Sequence, residues 1–299
     1  MPELPEVETV VRELRKEVRN RTFLDTWTDS KKLIKKPIDF NLFKKQLKGK
    51  KIERLERRAK NILFRISGGK TLLVHLKMTG HLLLGKWKME RGKWKVLGKN
   101  HFLEDSMNRF IHLIFWLDNG EMLALSDLRK FAKVELWTTS DLENSEGFRS
   151  IGPEPLQKSF TFQKFKEATR GKKGKIKKVL LDQKTIAGIG NIYSDEMLFK
   201  SKIHPLKEVS RLSGKELKRL YFSMKEVLKL GIKLGGESFS DFRRLSGKKG
   251  NYDSKRLVYR RTGEKCSVCQ SKIQKVKVGG RSAHFCPKCQ RLNEDKSSS

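Results

Sequence analysis

The densest chemistry in this 299-residue chain is carried by four cysteines, all between positions 266 and 289. Cys266 and Cys269 form one C-x2-C pair, sixteen residues follow, and Cys286 and Cys289 form the second. Each pair presents two thiolates from one tight turn, and two such turns close a tetrahedron around Zn²⁺. Four thiolates leave no open coordination position, so the expected ion is single and structural. A segment of about 45 residues with few apolar side chains needs a staple of this kind to fold. Between the pairs stand Lys272, Lys275, Lys277 and Arg281 with no acid among them, and a zinc-held basic hairpin is suited to touching phosphates. Four clustered cysteines are not a secreted disulfide framework and fit a reducing compartment.

The charge balance points the same way. Lys and Arg number 68 against 34 Asp and Glu, a formal net charge of +34. Such an excess calls for a polyanionic partner, either nucleic acid or an anionic membrane surface. No run of 18 apolar residues occurs, so no membrane span is expected. The opening MPELPEVETVVRELRKEV is acidic at once and lacks an apolar core, which argues against a secretory signal and for an intracellular protein.

These residues must be positioned by folded elements, and the length suggests two domains at about 150 residues each. Val7, Val10, Val11, Leu14 and Val18 share one helical face, with Pro5 suited to the first helical position and Glu3 and Glu6 at the end that favours negative charge. From about 51 to 137 the pattern predicts strands. Ile62, Phe64 and Ile66 alternate with polar neighbours, Gly68-Gly69 makes a turn, and residues 110–117 and 122–125 flank the hairpin turn Asp118-Asn119-Gly120. Residues 86–108 lack clean periodicity and read as a long loop or an insertion. Residues 139–160, with Pro153 and Pro155, read as a linker. Helices are expected around Ile176–Leu180, from Asn191 after Gly188-Ile189-Gly190, and over 213–234, where Leu217, Leu220, Tyr221, Met224, Val227, Leu228 and Ile232 form a core-facing stripe. The expected domains are therefore 1–138, a helical part over 161–252, a zinc finger over 253–292 and a disordered tail over 293–299.

Seven segments in order resemble the formamidopyrimidine-DNA glycosylase and endonuclease VIII family. They are the opening Met-Pro-Glu-Leu-Pro-Glu-Val-Glu-Thr, Arg57-Arg58-Ala59-Lys60, His75-Leu76-Lys77-Met78-Thr79-Gly80, Asp127-Leu128-Arg129-Lys130-Phe131, Gly152-Pro153-Glu154-Pro155-Leu156, Gly188 to Tyr193, and the cysteine knuckles. The match spans residues 2 to about 291. The resemblance implies an α+β, bilobal DNA-repair enzyme: an N-terminal β-sandwich flanked by helices, then a helix–two-turn–helix lobe with a β-hairpin zinc finger. It implies a monomer acting on damaged duplex DNA, by base excision followed by strand cleavage at the abasic site.

The same resemblance assigns roles residue by residue. Pro2, once Met1 is removed, is a secondary amine able to attack the sugar C1′; the resulting iminium carries a fixed positive charge and is a good electron sink. An α-amino group with a pKa of about 7.7–8.0 is partly neutral at cellular pH. Glu3 is the proton shuttle, Glu6 the base-pocket carboxylate, and Lys60 a catalytic-pocket cation. A first-turn glutamate favoured by the helix dipole explains Glu6 equally well. His75, Asn191 and Arg281 correspond to phosphate-binding positions. Asn191 also opens a helix after Gly-x-Gly, where side chain and backbone can hold a phosphate. Met78, Arg129 and Phe131 match the trio that fills the gap left by an extruded nucleotide. Leu128 and Lys130 depart from the common Asp-Pro-Arg-Arg-Phe form, Lys130 still offering a cation to DNA. Arg260 stands where the family often has glycine. Residues 238–253 correspond to a mobile flap over the base in purine-specific members, which favours 8-oxoguanine and formamidopyrimidines as substrates. The competing expectations are a pyrimidine-directed enzyme of the endonuclease VIII type and a catalytically silent zinc-stabilised DNA-binding protein.

Overall fold

The apolar face of the first helix decides where it goes. Helix α1 (Leu4–Glu17) buries Val7, Val10, Val11 and Leu14 completely. Its entry is closed by the Glu3 amide, which donates to Glu6 Oε2 at 2.8 Å. Pro5 occupies the second helical position, one later than expected; the amides of the first turn have no helical acceptor, so proline fits there as well.

The computed structural model describes residues 1–238 and 241–292. After α1 come β1 (Phe23–Thr28), β2 (Ile34–Lys36), α2 (Phe40–Leu47), β3 (Ile52–Arg58), β4 (Asn61–Ile66), β5 (Lys70–His75) and β6 (His81–Gly85). Then follow β7 (Trp87–Glu90), β8 (Lys93–Val96), β9 (Ile111–Leu117), β10 (Met122–Ser126), β11 (Lys133–Thr138), α3 (Thr139–Asn144) and α4 (Glu146–Arg149). The remaining elements are α5 (Phe162–Thr169), α6 (Ile176–Leu181), α7 (Asn191–Lys200), α8 (Gly214–Lys233), β12 (Gln274–Val278) and β13 (Arg281–Phe285).

The chain divides into two compact units, residues 1–150 with 231–253, and residues 151–230 with the segment from 254 onward. In the first, a four-stranded sheet β1-β9-β10-β6 and a five-stranded sheet β2-β11-β5-β4-β3 share one core. Phe23 of β1 meets Phe64 of β4 and Phe115 of β9, with ring centroids 6.4 and 5.4 Å away. This is the expected β-sandwich, with α1 and α2 packed into the same core.

Two segments differ from the sequence-based expectation for one physical reason. The strands carry apolar residues on both faces, so each sheet has an outer face that also must be covered. Residues 86–108 are not a bare loop: β7 and β8 pair as a hairpin whose Trp87, Trp94 and Val96, with Leu103, cover Leu83, Ile114 and Ala124. Likewise residues 139–149 are not linker; α3 and α4 bring Leu142 and Phe148 over Leu63 and Leu73. A third difference is that residues 231–253, assigned by pattern to the helical part, cluster with the first unit. Phe242 and Leu245 are buried in the sandwich core. The expected tail 293–299 lies outside the described residues.

In the second unit, Phe160, Phe165 and Tyr221 cluster between α5 and α8, and the Tyr221 hydroxyl donates to the Phe160 carbonyl at 2.8 Å. The β12–β13 hairpin turns on Gly279 and Gly280, both at positive φ, a geometry that favours glycine at both turn positions. Among the described residues, no helix is long and apolar enough to cross a membrane.

Candidate active site and nucleic-acid interface

The expected site residues fall in both units: Pro2, Glu3, Glu6, Lys60, His75, Met78, Arg129, Lys130 and Phe131 in the first, Asn191, Arg281 and the four cysteines in the second.

Pro2 and Glu3 immediately precede α1, and both are buried, Glu3 being 1 % exposed. Glu6 is buried to the same degree, and both its oxygens are used: Oε2 accepts from the Glu3 amide and Oε1 from the Glu237 amide, each at 2.8 Å. Its carboxylate therefore caps the helix and anchors the segment after α8. Lys60 sits at the tip of the β3–β4 hairpin and is 6 % exposed. The tip is made by Ala59 at φ +53° and is tied to α1 through Arg57, which donates to Glu8 Oε2 at 2.9 Å and to the Ala59 carbonyl at 3.0 Å. Burial works to raise the Glu8 pKa, but hydrogen bonds and charge from Arg12 and Arg57 bring it below the ordinary carboxylate value. The hairpin is thus held by an ion pair that stays charged.

His75 ends β5. Burial, with the charges of Lys77, Lys60 and Lys133, lowers its pKa to about 3. Its Nδ1 accepts from the Lys77 amide at 2.9 Å, so the neutral ring carries its proton on Nε2 and can donate there. An uncharged donor beside three lysines suits a phosphate better than an acid–base role.

Met78, Arg129 and Phe131 lie together on the surface of the first unit. Arg129 Nη1 lies 3.3 Å from Met78 Sδ, and its guanidinium stands over the Phe131 ring at 4.6 Å. Met78 is 42 % and Phe131 49 % exposed, so the arginine between them is flanked by two apolar side chains open to solvent. The loop beneath them is organised by Asp127, which is fully buried. Its carboxylate accepts from the Thr79 hydroxyl, from the Ala132 amide at 2.7 Å and from the Arg129 amide at 3.3 Å. The Arg129 amide also donates to Thr79 Oγ1 at 3.1 Å. The replacements Leu128 and Lys130 leave this scaffold in place, with Lys130 at φ +54°.

In the second unit α7 begins at Asn191, whose Oδ1 is buried without a hydrogen-bond partner. One turn on, Asp195 and Glu196 grip the zinc-binding segment. The Glu196 carboxylate accepts from the amides of Leu257, Val258 and Tyr259 at 2.8–3.0 Å, while burial raises its pKa. Asp195 pairs with Lys177 of α6, both fully buried. It also accepts from the backbone amide and Nδ1 of His284, each at 2.9 Å. His284 lies on β13, which starts at Arg281, so α7 positions the strand that presents this exposed arginine. Asp127, Asp195 and Glu196 were not singled out by sequence reasoning. The available signal was position: Asp127 opens a recognised motif, and Asp195 and Glu196 follow just after the Gly188 to Tyr193 motif, as acids in a basic chain. Arg260 stands at φ +56°, which explains why a glycine suits that place.

The four cysteine sulfurs lie within 4.8 Å of one another, with Cys269–Cys286 at 3.3 Å and Cys266–Cys289 at 3.9 Å. Tetrahedral zinc with bonds of about 2.3 Å needs sulfurs roughly 3.8 Å apart. The donor set and its spacing fit one structural zinc ion with no open position.

A mostly antiparallel sandwich led by a helix that Pro2-Glu3 precedes, with a helical unit bearing a four-cysteine hairpin, is matched by three family models. These are the formamidopyrimidine-DNA glycosylase N-terminal domain over residues 1–134, the H2TH domain of the same enzyme over 151–243, and the zinc finger found in FPG and IleRS over 263–292. The chain belongs to the formamidopyrimidine-DNA glycosylase family. It is 38% identical to the formamidopyrimidine-DNA glycosylase of Pelotomaculum thermopropionicum, covering 98% of this chain and 100% of that one. It is 36% identical to that of Desulforamulus reducens, over 97% and 99%. Among solved structures, the complex of Lactococcus lactis Fpg with abasic-site DNA matches at a TM-score of 0.85 and 37% identity, over 97% of this chain and all of that one. The complex of the same enzyme with DNA containing Fapy-dG matches at 0.83.

Proposed function

We propose that this protein is a monomeric base-excision DNA glycosylase that removes oxidised purines from duplex DNA and then cleaves the strand at the abasic site. The observation that carries this reading is the exposed Met78–Arg129–Phe131 cluster on a loop rigidified by buried Asp127. A protein that extrudes a nucleotide must fill the space it leaves, and Pro2, Glu3 and Lys60, for which a protein that only binds DNA has no need, supply the chemistry that such extrusion serves.

The chemistry follows from the residues ahead of α1. With Met1 removed, the Pro2 nitrogen attacks C1′, the bond from C1′ to the base breaks, and the base leaves with a proton. Glu3 gives a proton to the ring oxygen as the sugar opens, leaving an iminium between Pro2 and C1′. Loss of a proton from C2′ then expels the 3′-phosphate. Lys60 and neutral His75 in the first unit, and Asn191 and Arg281 in the second, contact DNA phosphates, and Glu6 contributes to the base side while capping α1. Zinc takes no part in the bond changes; it folds the hairpin that carries Arg281.

Borohydride trapping tests the reading. Protein mixed with a duplex containing 8-oxoguanine should form a covalent adduct, and Pro2→Gly or protein retaining Met1 should not. Pro2→Gly should still bind the duplex, since no phosphate contact is lost. Adducts with oxidised pyrimidines but not purines would move the assignment to the endonuclease VIII type. No adduct with either would leave a silent DNA-binding protein.

A further inference from the structure

Residues 100–110 touch two functional loops of the first unit. At one end they hold the wedge: the Asp127 amide donates to the Phe110 carbonyl at 2.8 Å, the Ser126 hydroxyl to the Met107 carbonyl at 2.9 Å, and Asn108 Oδ1 lies 2.9 Å from Nε2 of buried His81. At the other end they hold residues 241–250. Arg243, 4 % exposed, pairs with both oxygens of Asp105 at 3.0 and 3.1 Å. Lys248 stands over the Phe102 ring at 4.5 Å. Gly247 lies so near that a Cβ there would be 2.6 Å from the Phe102 carbonyl oxygen, which itself accepts from Asn108 Nδ2 at 2.7 Å. On its far side the same loop is held by Glu13, which accepts from Arg244 Nε at 2.6 Å and the Leu245 amide at 2.9 Å.

We propose that residues 100–110 are a strut that sets the position of loop 241–250 relative to the Met78–Arg129–Phe131 wedge, with Asp105 as its positioning residue, so that this segment governs how the extruded base is held. This rests on the proposed function and on the resemblance under which residues 238–253 lie over the base. The physical argument is that a fork-to-fork arginine–carboxylate pair fixes direction as well as distance. It joins backbone that lies 138 residues away in sequence. Burial works to raise the Asp105 pKa, but Arg243 and the Met107 amide bring it below the ordinary carboxylate value, so the pair stays charged at neutral pH. The strut acts on the step that needs the base to be gripped. It has no part in elimination at a site from which the base is already gone.

The test is a split between two substrates. Asp105→Asn should lower kcat for excision of 8-oxoguanine by roughly five- to twentyfold, the loss of one charge-assisted bidentate contact. Cleavage of a duplex bearing a preformed abasic site, and affinity for that duplex, should stay within about twofold. The exchanged pair, Asp105→Arg with Arg243→Asp, should regain most of the excision rate. Unchanged excision in Asp105→Asn, an equal fall on both substrates, or no recovery in the exchanged pair would each overturn the proposal. Wild-type protein that cleaves abasic sites yet excises no oxidised purine would instead refute the functional reading on which it rests.

Discussion

Asp195→Asn probes how the second unit presents Arg281, the arginine proposed to bind phosphate. Asp195 and Lys177 form an ion pair with no solvent exposure on either side chain, and the other carboxylate oxygen accepts two bonds from His284. The amide keeps the shape but removes the charge. Lys177 is then left buried without its counterion, and an N–H is turned toward other donors. Breaking a buried pair from one side costs about 3–5 kcal/mol. Each kcal/mol lowers Tm by roughly 2–4 °C in a protein of this size, so the fall should be about 6–20 °C. His284 follows Arg281 on β13, so the hairpin should loosen and duplex affinity should drop with the stability. Replacing both partners, Lys177→Met with Asp195→Asn, strands no charge, keeps an amide oxygen for the His284 donors, and should recover most of the loss. Calorimetry on zinc-loaded protein, with metal content measured alongside, is the assay. An Asp195→Asn protein melting within about 2 °C of the parent, or a double replacement no better than the single, would refute this account of the network.

Three further outcomes are expected. Cys286→Ala should lose the metal and unfold the hairpin, because structural zinc contributes about 10–16 kcal/mol coupled to folding; a zinc-free protein with full nicking activity would show the finger to be dispensable. Arg129 donors facing an orphaned base pair well with the O2 and N3 acceptors of cytosine and meet a donor on adenine, a mismatch of about 1–3 kcal/mol. Excision of 8-oxoguanine should therefore be faster opposite cytosine, and Arg129→Ala should narrow that ratio, whereas a plain phosphate contact would leave it unchanged. His75, with its pKa lowered to about 3 in the fold against about 6.5 unfolded, should stay neutral by NMR down to pH 5. Since the unfolded chain binds the extra proton first, this residue makes stability fall as pH drops from about 6.5 towards about 3; a His75 midpoint above 6 would contradict the buried, lysine-flanked site.

Much of this protein was legible in the residues alone, for reasons that are local. Two C-x2-C pairs contain their own metal geometry, and the sulfurs lie where that spacing puts them. The stripe from Leu217 to Ile232 and the face from Val7 to Leu14 have a helical period, and both are helices. Met78, Arg129 and Phe131 were named together by resemblance, and the contacts among them are a matter of the fold. Tertiary structure decided what depends on partners far away in the chain. Residues 86–108 became a covering hairpin because the outer face of β6, β9 and β10 is apolar, a requirement written in other strands. Residues 231–253 joined the sandwich through Phe242, Leu245 and Glu13, over 200 residues apart in the case of Glu13 and Leu245. The neutrality of His75 comes from burial and three lysines, two of them outside its own strand and turn. Asp127 and Asp195 read as ordinary acids until their surroundings are known. Hydrophobic period and ligand spacing are set by neighbours along the backbone, whereas burial, counterions and the acceptors of a buried carboxylate are set by whatever the fold brings alongside.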